Sequence, residues 1–158
     1  MTSGARSTRR PPTLSQYVTR RNGVPLGGRG SLVKMLHRSL GAGSFAGFWP
    51  SWNPIWGYHL GRYINRALRR FIPAAPALVL TFIVSGAIHD AALIAVSGSI
   101  SFLFVPWFAL LGLVVVLSSW AGVDYASRPW ALRAAINVAT VVAALGLAVI
   151  GKPLLGIP

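Results

Sequence analysis

The second half of this chain carries very little charge, and that feature limits what it can fold into. Three apolar runs follow one another at about 76–96, 100–119 and 134–150. A helix that crosses a bilayer needs ~20 predominantly apolar residues, within a range of about 17–25. All three runs fit that range, so the sequence predicts an all-α integral membrane protein with about three transmembrane helices.

Charge is scarce overall and is unevenly placed. Charged residues form 11% of the 158 positions, against roughly 25% in a typical soluble domain. The acidic residues are Asp90 and Asp124, and all Lys and Arg residues except Arg128, Arg133 and Lys152 precede the first apolar run. A basic segment beside an apolar one suits a membrane with an anionic face. We therefore expect a multi-pass protein of the cell membrane whose partners are lipids and not nucleic acid, since a soluble nucleic-acid-binding protein would not carry these runs.

The N-terminal third has a different character. Residues 1–31 are rich in Ser, Thr, Arg, Pro and Gly, which predicts a flexible basic arm, and residues 32–158 form the membrane domain. Apolar residues recur at steps of three and four over 55–72, with Arg62 among the basic residues on the other side, which predicts an amphipathic helix in the membrane interface. Because Lys and Arg collect in cytoplasmic segments, we expect a cytoplasmic N-terminus and the uncharged 97–99 turn on the opposite side.

Polar side chains interrupt the first apolar run on one face. Thr81, Ser85 and His89 recur at steps of four, and Asp90 follows directly. Ionisable groups inside a membrane are energetically costly and usually mark function. The competing interpretation is that such groups only hydrogen-bond to a neighbouring helix. A metal site is not expected, because the chain has no Cys and neither of the other two His residues is spaced to pair with His89.

A cluster of tryptophans precedes this run. Trp49, Trp52 and Trp56 lie within eight positions of one another. Tryptophan favours the membrane–water boundary, where its ring is apolar and its N–H remains hydrated. An interfacial anchor is therefore one interpretation of the cluster.

Two stretches of this sequence resemble the membrane-bound O-acyltransferase superfamily, in particular its wax-synthase and sterol or diacylglycerol acyltransferase branch. The first reads Phe48-Trp49-Pro50-Ser51-Trp52-Asn53. The second contains His89, 36 positions after Asn53 (89 − 53), and reads Ser85-Gly86-Ala87-Ile88-His89-Asp90. Members of the family have more transmembrane helices than three, so the chain resembles the C-terminal half of a member.

The resemblance implies transfer of an acyl group from a thioester, commonly acyl-CoA as the co-substrate, to a hydroxyl of a lipid or another acceptor. It assigns His89 as the general base and Asn53 as a supporting amide, roles that an imidazole and an amide can fill. No further cofactor is expected. The residues expected to bind substrate are Trp49, Trp52, Ser85, Asp90 and Arg62.

The small number of helices suggests an assembly. A second copy of this chain, or a second helix-rich membrane chain, would complete the tunnel that family members enclose. The alternative function is a non-catalytic membrane subunit, or a truncated acyltransferase fragment, that binds lipid or a partner membrane protein.

Overall fold

The computed structural model of the protein describes residues 11–25, 27–98 and 102–154, and these residues are organised into helices without strands. The elements in chain order are α1 (Leu14–Asn22), α2 (Ser31–Leu40), α3 (Phe45–Phe48), α4 (Pro54–His59), a π-helix (Leu60–Asn65), α5 (Arg66–Leu68), α6 (Ala74–Ser97), α7 (Phe104–Trp120) and α8 (Trp130–Leu154). The π-helix follows α4 directly and continues into α5.

Part of the predicted flexible arm is helical. A capping box starts α1: the Thr13 hydroxyl accepts from the Gln16 backbone N–H at 3.3 Å, and the Gln16 side chain accepts from the Thr13 backbone N–H at 3.0 Å. Gly23 ends the helix in the left-handed region at φ 76°. The prediction that 1–31 lacks regular structure is therefore wrong over α1, because the capping signal outweighs the local composition. Residues 1–10 lie outside the described part of the chain.

The three predicted apolar runs correspond to α6, α7 and α8. Two helical stretches, Ala74–Ser97 and Trp130–Pro153, are long and apolar enough to cross a membrane, with mean hydropathies of 2.0 and 2.2. The apolar helix α7 has 17 residues, which puts it at the lower limit of the length that spans a bilayer. Two of the three predicted spans are therefore clearly long and apolar enough to cross a membrane, and the third is at the lower limit of length. The last residue of the predicted 97–99 turn and the first two of the predicted 100–119 run lie outside the described residues.

The predicted interfacial helix at 55–72 is shorter and less regular than the sequence pattern suggests. It runs without interruption from α4 through the π-helix to α5 and then turns. This helix packs against α6 through residues of both sides of the predicted pattern, while Tyr63 and Phe71 of its apolar side are 61% and 85% exposed. Two hydrogen bonds join the helix to α6. Asn65 Nδ2 donates to Thr81 Oγ1 at 3.1 Å, and Trp56 Nε1 donates to Ser85 Oγ at 2.9 Å.

Helices α6 and α7 lie so close together that two glycines are required between them. A Cβ atom added to Gly86 would lie 2.5 Å from the Phe104 carbonyl oxygen, and one added to Gly112 would lie 3.1 Å from Phe82 Cβ. Small residues permit this close approach of helices in membrane proteins. The buried hydrophobic residues beside this contact are Phe45, Leu111, Val115 and Ala144.

A buried amide joins α8 to the segment between α2 and α3. Asn137 is fully buried, and its Nδ2 donates to the backbone carbonyls of Leu40 and Ala42 at 2.8 and 3.1 Å. Its Oδ1 accepts from the Tyr125 hydroxyl at 2.6 Å. Burial, and secondarily the Asp124 carboxylate, raise the pKa of Tyr125 above its usual value of 10.0. This junction fixes the end of the α7–α8 connection against the N-terminal helices.

Candidate active site

A cavity of about 450 Å³ lies between α6, α7 and the helix formed by α4 and the π-helix. The end of α3 and one residue of α1 complete its wall. Most of the lining is apolar, and Thr81 and Ser85 are its most buried polar residues, at 6% and 2% exposure. A largely apolar pocket with a few converging polar groups is the usual form of a ligand site. The Ser, Thr, Asn and His residues among its lining are Asn53, Asn65, Thr81, Ser85, His89 and Ser119.

His89 lines this cavity with its ring held in a defined orientation. Its Nδ1 lies 2.7 Å from the Ser85 carbonyl oxygen. A carbonyl oxygen only accepts, so Nδ1 carries the proton and Nε2 of the neutral ring is left as a base. The ring meets Trp56 edge-on at 5.9 Å between centroids, and it contacts Phe104 and Phe108 at 5.4 and 5.1 Å. The predicted catalytic residue is thus placed as an oriented imidazole within an aromatic wall.

The other members of the polar stripe on α6 hydrogen-bond across to the neighbouring helix. Ser85 Oγ accepts from Trp56 Nε1, and Thr81 Oγ1 accepts from Asn65 Nδ2 while donating to the Ala77 carbonyl at 2.7 Å. Both hydroxyls therefore make the helix-to-helix hydrogen bonds that the competing interpretation expects. Both also line the cavity, so the bonds that join the helices also form its polar floor.

Asn53 lines the cavity at the start of α4 in an unusual backbone conformation. Its φ of 44° is the one positive φ of a non-glycine residue among the described residues. Asparagine tolerates this left-handed conformation better than most residues. Its Oδ1 caps the helix by accepting from the Trp56 backbone N–H at 3.3 Å, which leaves the Nδ2 group as a donor. Residues held in sparsely populated conformations cluster at functional sites.

The predicted substrate-binding tryptophans both line the cavity. Trp49 packs edge-on against Phe82 of α6, with ring centroids 4.9 Å apart, and Trp52 stacks on Phe48 at 5.3 Å. The Trp49 Nε1 atom is buried and has no hydrogen-bond partner among the described residues. Trp52 is 39% exposed, so it lies at the rim while Trp49 lies deeper.

Asp90 does not line this cavity, and its placement corrects the prediction that it binds substrate. Its side chain is 1% exposed and accepts three backbone N–H bonds from the start of α7. Oδ1 accepts from Leu103 and Phe104 at 3.0 and 2.9 Å, and Oδ2 accepts from Val105 at 2.8 Å. These N–H groups have no partner inside their own helix, and an anion is favoured beside them. Asp90 is therefore a cap that joins α6 to α7.

Arg62 is also absent from the lining, contrary to the prediction. The residue is exposed, and its Nη1 donates to the Tyr58 hydroxyl at 2.9 Å. The guanidinium also lies over the rings of Tyr58 and Tyr63 at 5.8 and 5.9 Å. Arg62 thus contributes to an exposed basic and aromatic surface on the helix rather than to the cavity wall.

Several lining residues were not predicted as site residues from the sequence. Trp56 had a readable signal as an apolar position of the 55–72 pattern, whereas Asn65 lies on the polar side of that pattern. Phe108 and Tyr17 had none, because α1 and α7 reach the cavity only through tertiary packing. Among the described residues, no group of three His, Cys, Asp or Glu side chains is placed to hold a metal ion.

Comparisons with known proteins provide no relative for this chain. No protein-family model matches it, and no curated protein and no solved structure does either. The role of the cavity therefore has to be inferred from its own residues.

Proposed function

We propose that this protein is a membrane-bound O-acyltransferase, similar to the C-terminal half of members of that superfamily. It transfers an acyl group from acyl-CoA to a hydroxyl of a lipid or another acceptor. One observation carries the proposal: the Trp-Asn stretch and the His-bearing helix, which are separated in sequence, line the same cavity. Trp49, Trp52, Asn53, Ser85 and His89 all belong to its wall.

The mechanism follows from the available donors and acceptors. His89 Nε2 takes the proton from the acceptor hydroxyl as its oxygen attacks the thioester carbonyl. The new C–O bond forms, the C–S bond breaks, and the thiolate leaves with the proton returned by His89. The Asn53 Nδ2 group, left available by the cap, donates to the oxyanion that develops on the carbonyl oxygen. The products are an ester and a free thiol.

We further propose that the protein resides in the cell membrane with its N-terminus in the cytoplasm. The most apolar windows of α6 and α8 are 22% and 17% buried within the protein. The core helix of a soluble protein would be mostly buried, so the exposed apolar sides of these helices favour lipid as their surroundings. The basic N-terminal segments support a cytoplasmic location for that end.

The experiment that tests the activity follows the acyl group itself. Palmitoyl-CoA with a labelled acyl group is added to vesicles containing the purified protein and one acceptor at a time: a long-chain alcohol, a diacylglycerol or a sterol. The proposal expects protein-dependent appearance of label in an ester, with an equal amount of free thiol. Absence of both products with every acceptor, in vesicles where the protein is folded, would contradict it.

A second candidate is a non-catalytic membrane subunit that binds lipid or a partner membrane chain. The observation that favours it is the exposed apolar side of α8, where Val142, Leu147 and Ile150 are 59%, 62% and 68% exposed. Such a surface is covered by lipid tails, by a second copy or by another helix-rich chain. Binding of a fatty acid or a partner without any release of thiol would select this function over catalysis.

A further inference from the structure

Two glycines in one helix line the cavity without any packing reason. Gly57 belongs to α4 and Gly61 to the π-helix, and both contribute to the cavity wall. A glycine inside a helix is less favourable than alanine, because the unfolded chain loses more conformational freedom when it folds. We therefore expect the two glycines, four residues apart in the cavity wall, to have a function that compensates for this loss of helix stability.

Other glycines in this protein are required by close packing, and they provide a comparison for Gly57 and Gly61. At Gly86 an added Cβ would meet the Phe104 backbone at 2.5 Å, so the contact between two helices requires the glycine. At Gly61 an added Cβ would meet no protein atom within 4 Å, and at Gly57 the nearest atom is the Tyr17 hydroxyl oxygen at 4.0 Å. Neither Gly57 nor Gly61 has a positive φ. The fold itself would therefore accept a side chain at both positions.

Both glycines combine a place in the cavity lining with open space at the position of an added Cβ. Gly61 is exposed, whereas Thr81 and Ser85 at the polar floor are buried. The part of the wall formed by Gly57 and Gly61 therefore extends from the opening of the cavity toward its floor. The backbone at Gly61 is π-helical, since its carbonyl accepts from the Arg66 N–H five residues on. Turns of this kind are frequent at functional sites. Glycine is also the residue found where a ligand approaches the backbone closely.

We propose that a hydrocarbon chain of the lipid substrate lies along Gly57 and Gly61, and that Gly61 limits the length and bulk of the chain that enters. The inference rests on the proposed function for the identity of the ligand. The largely apolar lining, which includes Trp49 and Leu60, suits a hydrocarbon chain better than a polar one. The spacing of the glycines also suits contact with another helix, but they line a concave cavity with a buried polar floor.

The test compares Gly61→Leu with the matched control Gly146→Leu. Gly146 lies in α8, is exposed, meets no protein atom within 4 Å and is not part of the cavity lining. The proteins are placed in nanodiscs, and quenching of tryptophan fluorescence measures the affinity for brominated fatty acids of 16 and 8 carbons. Gly61→Leu should weaken binding of the long chain on the order of tenfold while changing the short chain much less. Gly146→Leu should change neither.

Two further measurements keep the inference falsifiable. Gly61→Ala adds one methyl group where no protein atom interferes, so it folds, and its ratio of long-chain to short-chain affinity should fall in the same direction by a smaller factor. Equal effects of Gly61→Leu and Gly146→Leu would overturn the inference. Unchanged binding with a changed oligomeric state in Gly61→Leu would overturn it in favour of a helix contact. If the binding pattern appears without release of thiol from palmitoyl-CoA, the chain-binding inference stands and the acyl-transfer function falls.

Discussion

Asn53 has two roles at the scale of the single residue, and one substitution separates them. Its Oδ1 caps α4, and its Nδ2 is proposed to stabilise the oxyanion. Asn53→Gly retains access to a φ of 44°, and a glycine at a cap position costs only a few tenths of a kcal/mol. We expect nearly unchanged thermal stability and a loss of ~10²–10³-fold in turnover. A variant that loses stability and turnover together would show that the cap alone matters.

Residue types predicted part of this site and not the rest. His89 and Asn53 were identified because each combines an ionisable or amide group with a recognisable sequence context. Asp90 was misassigned because the three N–H groups that it binds belong to α7, and their closeness is a property of tertiary packing. Arg62 was misassigned because a helix pattern gives the side of a residue but not which cavity lies beside it.

At the scale of the elements, the cap on α7 leads to a stability prediction. Asp90→Ala would leave buried N–H groups of Leu103, Phe104 and Val105 without a partner. Each unsatisfied buried group costs about 1–3 kcal/mol, so a large fall in the unfolding temperature in detergent is expected. Asp90→Asn keeps one acceptor oxygen, so its unfolding temperature should fall less. Wild-type stability in Asp90→Ala would contradict the assignment of Asp90 as a structural cap.

The junction between Tyr125 and Asn137 has a predictable pH dependence. Because the folded state raises the pKa of Tyr125 above 10.0, its contribution to stability is present below that pH and is lost as the pH rises through the folded-state pKa. Tyr125→Phe removes the hydroxyl and its hydrogen bond. We expect a loss of about 0.5–1.5 kcal/mol near neutral pH and a smaller alkaline decline than in the wild type. Thermal unfolding at neutral and strongly alkaline pH measures both effects, and an unchanged alkaline decline would exclude Tyr125 as its source.

Element types were more predictable than element details. Length and hydropathy alone place α6, α7 and α8, because a run of ~20 apolar residues has few alternatives to a helix. The π-helix was not predictable, since the periodicity of 55–72 fits a regular helix equally well. Helix α1 was missed because the prediction for 1–31 rested on composition alone and did not consider the capping box at Thr13 and Gln16.

At the scale of the whole molecule, the proposed orientation in the membrane rests on the charge distribution. The chain has no Cys, so single cysteines report accessibility without background. Val96 at the end of α6 is 89% exposed, and Val123 in the α7–α8 connection is 48% exposed. If α7 crosses the bilayer, a membrane-impermeant thiol reagent should label Val123→Cys from the cytoplasmic side and Val96→Cys from the opposite side. Labelling of both positions from one side would show that α7 does not cross.

We propose that α3, α4, the π-helix, α6 and α7 together form one catalytic cavity around His89. The chain offers a matched control for that claim. His59 is exposed on the same helix as the cavity wall, stacks on Tyr63 at 5.8 Å and does not line the cavity.

Release of free thiol from palmitoyl-CoA, in vesicles containing equal amounts of folded protein, is the most direct measurement of this claim. General-base assistance is typically worth ~10²–10⁴-fold in rate. We expect the rate of thiol release to fall by at least ~10²-fold in His89→Ala and to stay at the wild-type value in His59→Ala. Wild-type thiol release in His89→Ala, or equal losses in the two variants, would contradict it.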